Sequence, residues 1–185
     1  MSNDAYGSDA LDDLDNANLP QKAEAAPYTP EELQQYMDGE ITLGELYSLT
    51  EDDAYEIAEI GYSQFQQGKY AEAFKIFAGL QSANPNDPYF VLMLASIYGK
   101  TDRQAEAARG YAAVLELEPE NLAALTSLAE LQLNNGMFAE ALENLGKVAK
   151  LDPNQESPHA VRAYALGQAA HKFLEAIVQS PDAEA

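Results

Sequence analysis

The chain of 185 residues is long enough for one domain and a terminal extension, and it carries 31 acidic against 10 basic residues, a formal net charge of −21. A surface of this charge repels nucleic-acid phosphates and anionic lipid headgroups, and no basic stripe interrupts it, so neither nucleic acid nor a membrane is expected as a partner. Because the chain contains no cysteine, disulfides, thiolate metal sites and catalytic thiols are excluded.

The first part of the chain is the most acidic. Residues 1–28 are rich in Asp, Asn, Ala and Gly and poor in large apolar side chains, which predicts a disordered acidic tail that acts as a solubilising extension. This tail lacks the basic start and apolar run of a secretory signal, and no stretch approaches the roughly 18 apolar residues of a membrane span. We therefore expect a cytoplasmic protein.

Residues 29–53 are predicted to form an N-terminal helical segment. Thr29 to Glu32 is a capping box with Pro30 at the first helical position, which predicts a short helix. Two further boxes, Thr42 to Glu45 and Thr50 to Asp53, predict a second helical turn and the start of the main helical array.

From residue 54 to about residue 155 the sequence repeats every 34 residues. Equivalent positions hold a proline, a small residue or a large apolar residue in all three copies. The sets are Pro85, Pro119 and Pro153; Ala73, Ala107 and Ala141; Gly61, Ala95 and Ala129; Ile57, Val91 and Leu125; Ile60, Leu94 and Leu128; and Phe77, Tyr111 and Leu145. Agreement at this many positions indicates a repeat protein.

This pattern resembles the tetratricopeptide repeat, in which each unit is a pair of antiparallel helices, A and B. The resemblance implies an all-α fold, a right-handed superhelix of three repeats at residues 54–87, 88–121 and 122–155. Small residues mark the places where two helices approach closely, and we expect Ile57, Ile60 and their equivalents, together with Phe77, to fill the space beside them. Each proline is predicted to end helix B. The predicted turns from helix A to helix B lie at Gly68, Asp102 and Gly136.

Residues 156–179 are predicted to form one long capping helix that begins at Ser157 and Pro158. A solenoid needs such a helix to cover the apolar face of its last repeat. The side chains expected on the buried side are Val161, Ala165, Leu166, Ala169, Phe173, Leu174 and Ile177.

The sequence carries no recognisable catalytic or cofactor motif. His159 and His171 lie outside any HExxH or catalytic-triad context, and the stretch from Gly99 to Thr101 lacks the upstream glycine of a phosphate-binding loop. The acidic clusters lack the spacing of a calcium loop. We therefore expect no enzyme activity, no cofactor and no metal.

In tetratricopeptide arrays the A helices line a concave groove, at the second, fifth, ninth and twelfth positions of each unit. These positions are Tyr55, Ala58, Tyr62 and Phe65; Tyr89, Leu92, Ser96 and Gly99; and Ala123, Thr126, Glu130 and Leu133. All but Gly99, Ala123 and Thr126 are candidate peptide contacts. Aromatic side chains that the core does not need favour peptide binding, and packing against the protein's own N-terminal helix or a partner subunit is the alternative.

The charge of these positions bears on the kind of peptide. None of them is basic, since Lys100 and Asn134 lie one position further on, and Glu130 is acidic. A clamp for a carboxylate is therefore not expected, and an extended apolar segment is.

A narrower resemblance rests on the order of the elements. A short N-terminal segment with a glycine break ("YMDGEITLGELYSL") precedes "QFQQGKYAEAFKIF" (Gln64 to Phe77), two further repeats and one C-terminal helix. This order is similar to that of the translocator chaperones of bacterial type III secretion, the low-calcium-response protein H family. The resemblance implies a groove that holds an extended segment of a hydrophobic translocator and keeps it soluble before export. Tyr62 and Phe65 match the pocket aromatics, and Ala58 replaces a third one.

The same resemblance implies a homodimer formed through the N-terminal segment. The residues expected in that interface are Leu33, Tyr36, Met37, Ile41 and Leu43. A second interpretation remains open, in which the protein is a tetratricopeptide scaffold or adaptor that joins subunits of a larger assembly.

Overall fold

The computed structural model of the protein describes residues 28–179. Within this range the chain forms helices and turns without a strand, so the all-α prediction is confirmed. Apart from Tyr28, the predicted acidic tail lies outside the described residues. The helices are α1 (Pro30–Met37), α2 (Leu43–Leu46), α3 (Glu51–Gln66), α4 (Tyr70–Ala83), α5 (Pro88–Lys100), α6 (Gln104–Leu117), α7 (Leu122–Asn134), α8 (Phe138–Leu151) and α9 (Pro158–Val178).

The chain divides into two compact units after Ile41. The described part of the first unit contains α1, whose Leu33 and Tyr36 side chains are each 39% exposed. The second unit begins at Thr42 and contains α2 to α9.

All three predicted capping boxes are present. At α1, the Thr29 hydroxyl accepts the Glu32 N–H at 3.2 Å, and the Glu32 carboxylate accepts the Thr29 N–H at 2.6 Å. The boxes at Thr42 and Thr50 have the same reciprocal bonds, with Glu45 and Asp53 as the acidic partners. Each box satisfies two backbone donors that the first helical turn would leave unpaired.

The larger unit contains the predicted series of helix pairs, α3 with α4, α5 with α6 and α7 with α8, and each pair packs on the next. Gly68, Asp102 and Gly136 turn the chain inside the pairs with φ of 75°, 60° and 75°, as predicted. Each B helix ends two residues before its proline. Asn84, which directly precedes Pro85, has the extended φ of −135° that a following proline favours.

The small positions of the repeat lie at helix contacts. Ala73, Ala107 and Ala141 are fully buried. A Cβ atom on Gly61 would lie 2.8 Å from the Phe77 ring, so a larger residue would push α3 away from α4. Three buried clusters follow one another along the stack, and their large side chains include Phe77, Phe90, Ile97, Val114, Leu125 and Val148.

Two predicted core residues of the first repeat are not buried. Ile57 and Ile60 are 40% and 58% exposed, whereas their equivalents Val91 and Leu94 are each 6% exposed. Leu94 packs with Phe77 and Leu80 of the preceding helix pair. Helix α3 has no preceding pair in its unit, so Ile60 has no equivalent neighbour. The expectation that Ile57 and Ile60 fill the core was wrong.

Helix α9 begins at the predicted Ser157 cap, where the hydroxyl accepts the Ala160 N–H at 3.1 Å. Its buried face differs from the prediction. Ala160, Ala163 and Ala170 are buried, whereas Val161 and Phe173 are about half exposed. Ala163 stands 34 residues after Ala129, so α9 starts as the A helix of a fourth repeat and packs through small side chains. The chain then continues as helix past the position of the expected turn.

Candidate functional site

A cavity of about 570 Å³ lies among the A helices of the larger unit, and we call it the A-helix cavity. Helices α3, α5, α7 and α9 contribute most of its lining, and α6 adds two side chains. The lining residues are Tyr62, Phe65, Tyr89, Leu92, Met93, Ser96, Gly99, Lys100, Gln104, Tyr111, Ala123, Ser127, Glu130, Leu131, Asn134, His159 and Arg162. Its volume falls in the range of small-molecule and peptide side-chain pockets.

Most of the predicted groove positions line this cavity. They are Tyr62, Phe65, Tyr89, Leu92, Ser96, Gly99, Ala123 and Glu130. Four others do not, and they are Tyr55, Ala58, Thr126 and Leu133. The repeat register therefore placed the cavity on the correct helices, although it did not identify every lining side chain.

The four exceptions have specific places in the fold. Ala58 is 1% exposed in the first core cluster, so the expectation that it faces the groove was wrong. Thr126 is fully buried, and its hydroxyl donates to the His159 carbonyl at 3.3 Å. Leu133 packs against the core cluster of α7, α8 and α9. Tyr55 bonds to Asp87 outside the cavity.

One end of the A-helix cavity is aromatic. The rings of Tyr62 and Phe65, one turn apart on α3, stack with centroids 6.5 Å apart, and Phe65 also contacts Tyr70 at 5.6 Å. Tyr89 meets the buried Phe77 ring edge-on at 6.0 Å. Partial burial raises the pKa of Tyr89, and the neighbouring Tyr62 raises it further. Tyr89 therefore stays a neutral hydrogen-bond donor at physiological pH. Tyr62 is 42% exposed, so this end presents apolar area to solvent.

The rest of the lining is more polar and includes cations that the sequence register did not assign to the groove. Lys100 lines the cavity from the end of α5, and Arg162 lines it from α9. Arg162 forms an ion pair with Glu130 of α7, and this partner raises the pKa of the guanidinium. The expectation of a groove without basic residues was therefore wrong. Lys100 lies one position beyond the four considered in each repeat, and α9 lies beyond the three repeats.

His159 also faces the A-helix cavity. Partial burial and the nearby Arg162 lower the pKa of its imidazole, so it is neutral at pH 7 and adds no charge to the lining. The charged groups of the cavity are thus Lys100, Arg162 and Glu130.

A second cavity, of about 500 Å³, lies between α8 and α9. Its lining is mainly small or aliphatic, with Leu142, Gly146 and Ala163 among its members. The polar or aromatic lining residues are Asp152, Gln155, Tyr164, Gln168 and His171. None of the predicted groove positions lines it.

The described residues give no sign of metal chemistry or membrane insertion. From residue 28 to residue 179, His, Asp and Glu side chains do not gather in a cluster of three or more that would hold a metal ion. In the same range, every helix is too short or too polar to cross a bilayer.

Two family models described as "Tetratricopeptide repeat" match the chain, one over residues 102–165 and the other over residues 59–87. A search of curated proteins finds no significant match.

Solved structures with the same fold include a chaperone of type III secretion. The translocator chaperone SycD of Yersinia enterocolitica has 23% identity and a TM-score of 0.63, with 69% of this chain and 97% of SycD covered. SycD in complex with a peptide of the translocator YopD has 22% identity and a TM-score of 0.59, over 68% of this chain and 97% of that one.

A tetratricopeptide domain bound to an HSP90 peptide is similar to about the same degree. The first tetratricopeptide domain of Spaghetti (RPAP3), bound to the HSP90 peptide SRMEEVD, has 22% identity and a TM-score of 0.60, over 68% of this chain and 96% of that chain. At these identities the comparisons establish the fold. The chain has the tetratricopeptide-repeat fold that the 34-residue period predicted.

Proposed function

We propose that this protein is a chaperone of type III secretion that binds an extended segment of a hydrophobic translocator in the A-helix cavity and keeps the translocator soluble before export. The observation that carries this proposal is the aromatic end of the cavity, where Tyr62 is 42% exposed although its ring stacks on Phe65. An apolar surface that the protein's own core leaves open is a common mark of a binding site.

The similar structures support the choice of client. SycD, whose fold this chain shares, holds a peptide of the translocator YopD in one of its crystal structures. The A helices here provide a cavity lined by both apolar and hydrogen-bonding side chains, which suits a short extended peptide. Each apolar side chain that leaves water for such a pocket contributes about 1–2 kcal/mol, and a few of them, combined with the strand-like register of an extended peptide, reach micromolar affinity.

The proposal includes an organisation and a location. Residues 54–87, 88–121 and 122–155 are the three repeats, residues 156–179 cap them, and the chaperone acts in the cytoplasm. A homodimer forms through Leu33, Tyr36, Met37, Ile41 and Leu43.

Co-expression tests the proposal. The partner is the product of a neighbouring gene that encodes long apolar segments, and the readout is the soluble fraction of that partner. With the wild-type chain the partner stays soluble, and with the double variant Tyr62→Ala and Phe65→Ala it aggregates. Tyr164→Ala is the matched control, because this aromatic side chain is 54% exposed and lines the second cavity instead. Equal solubility with the wild-type chain and the double variant would refute the role of the A-helix cavity.

The scaffold interpretation is the second candidate, and the similarity to the HSP90-peptide-binding domain of RPAP3 favours it. A scaffold would bind a folded subunit that is soluble by itself. Purification of the tagged chain from its native cells separates the two candidates, since a chaperone retains a partner that aggregates when expressed alone and a scaffold retains one that does not.

A further inference from the structure

We infer that the A-helix cavity selects a segment in which an acidic side chain accompanies the apolar ones, and that Lys100 pairs with its carboxylate. This inference rests on the proposed function, because it specifies the peptide that the same cavity takes. The aromatic end around Tyr62 and Phe65 accounts for the apolar part of such a segment. The polar residues of the lining provide the new information.

Among the described residues that line the cavity, Lys100 is the cation without a partner. Its ammonium forms no ion pair or hydrogen bond with any residue in the described range 28–179. The nearby Arg103 differs, because its guanidinium pairs with Glu106 at 2.9 Å and lies 4.3 Å from the centre of the Tyr98 ring. Arg162 is likewise occupied by Glu130. Among the described lining residues, only Lys100 therefore offers an uncompensated charge to a ligand in the cavity.

Two side-chain amides lie in the same lining. Gln104 and Asn134 both face the A-helix cavity, and within the described residues neither side chain has a hydrogen-bond partner. Their NH₂ groups are donors, as is the ammonium of Lys100, so a carboxylate suits the three together. A hydrogen bond to an ionised group is stronger than one between neutral groups.

The local charge is opposite to that of the whole chain. The protein has a net charge of −21, yet the A-helix cavity holds two cations, Lys100 and Arg162, against the single carboxylate of Glu130. The surface as a whole repels an acidic peptide, and the cavity attracts it.

The lining offers one free positive charge. Lys100 is a single unpaired ammonium, which acts as a point charge, and the second cation, Arg162, is already paired with Glu130. The inference assigns the partner carboxylate to a side chain within the segment, and a peptide with a free C-terminal carboxylate tests this assignment.

An array of acetyl- and amide-capped decapeptides tests the inference. The peptides are built from Leu, Val, Pro and Ser, with one scanned position that is Glu in one set and Gln in the matched set. Binding of the full-length protein to the best pairs is measured by fluorescence anisotropy. We expect the Glu peptides to bind about three- to tenfold more tightly than their Gln counterparts, with a preference that declines in higher salt.

Substitutions assign this preference to a residue. Lys100→Gln is expected to abolish the preference while the Gln peptides still bind, and Glu130→Gln, which frees Arg162, is expected to increase it. Lys172→Gln is the matched control, because it removes the same charge from an exposed site on α9 that lies outside the cavity lining. A preference that survives Lys100→Gln, or that Lys172→Gln removes equally, overturns the inference.

Other outcomes are also decisive. If the wild-type chain binds Glu and Gln peptides equally, this inference is wrong and the proposed function stands. If a Gln peptide with a free C-terminal carboxylate binds as tightly as a capped Glu peptide, the cavity recognises a terminus and the side-chain assignment is wrong. If no peptide binds and the client in co-expression is unaffected by Tyr62→Ala and Phe65→Ala, the proposed function fails and this inference fails with it.

Discussion

The phenol of Tyr55 in α3 donates a hydrogen bond of 3.1 Å to the carboxylate of Asp87, which is 32 residues further along the chain. The other carboxylate oxygen of Asp87 accepts the backbone N–H groups of Tyr89 at 2.9 Å and Phe90 at 3.3 Å. One buried carboxylate thus caps α5 and ties it to the A helix of the preceding repeat. The register of the first two repeats depends on this contact as well as on apolar packing.

Substitution of Asp87 should separate the two roles. Asp87→Ala removes the cap and the bond to Tyr55, and we expect a loss of about 1–3 kcal/mol in the free energy of unfolding, measured in urea. Asp87→Asn keeps an acceptor for the backbone N–H groups and should lose less than half as much. Equal losses for the two variants would show that the oxygen facing Tyr55 or the charge, and not the cap, provides the stability.

The Tyr55 phenol should make stability depend on pH at the alkaline end. Burial, with the hydrogen bond and charge of Asp87, raises the pKa of Tyr55 to about 12. Since the pKa of an unfolded tyrosine is about 10, the protonated phenol stabilises the folded state fully below pH 10, and this contribution is lost as the pH rises toward 12. The unfolding free energies of wild type and Tyr55→Phe should therefore converge between these pH values. Tyr164→Phe is the control. If the unfolding free energies of wild type and Tyr55→Phe do not converge, the assignment to Tyr55 is contradicted.

Replacement of two glycines in B helices by alanine should have opposite effects on the stability of the protein. A Cβ atom on Gly110 would lie 2.7 Å from the Ala95 Cβ and 3.2 Å from its Cα, so α5 and α6 would have to separate. We expect Gly110→Ala to destabilise the protein by about 1–3 kcal/mol. Gly79 has no heavy atom within 4 Å of the same position, and Gly79→Ala should stabilise it by about 0.5–1 kcal/mol. Thermal unfolding measures both, and shifts of the same sign would contradict the packing argument.

The local rules of the sequence predicted much of the fold because each acts over a few residues. Capping boxes at Thr29, Thr42 and Thr50 mark helix starts through bonds that span three residues. The turn at Asp102 was predicted from its place in the 34-residue period, although aspartate is less suited than glycine to a φ of 60°. Small residues that repeat at the 34-residue interval predicted where helices contact one another.

The remaining differences arise from the ends of the array, where a repeat has no neighbour on one side. The period treats Ile60 as the equivalent of Leu94, yet only Leu94 has a preceding helix pair to pack against. At the other end, hydrophobicity favoured Val161 and Phe173 as the buried face of α9, whereas the close approach of α8 selects alanines. Extending the 34-residue interval from Ala129 to Ala163 would have identified the buried face of α9.

The register predicted eight of the cavity's lining residues, which lie on α3, α5 and α7, but it did not predict the cations. Tyr62 and Phe65 follow from the register of α3, because two residues one turn apart on an A helix face the same way. Lys100 and Arg162 come from a helix end and from the capping helix, and their place in the lining depends on how α5, α7 and α9 pack. Charge balance over the whole chain gave no indication of a locally cationic lining.

The proposed dimer can be tested by removal of the first unit. Its α1 carries Leu33, Tyr36 and Met37, and the Met37 side chain is 71% exposed. Deletion of residues 1–41 leaves α2 in place, which matters because α2 packs against α4 and its Leu46 is only 6% exposed. We expect light scattering to give the mass of a dimer for the full chain and of a monomer for the shortened one. Leu33→Asp with Met37→Asp should have the same effect in the full chain, since charged side chains are costly to bury in an apolar interface. A dimer that survives both changes would place the interface elsewhere, and a full chain that is monomeric at micromolar concentration would refute the dimer.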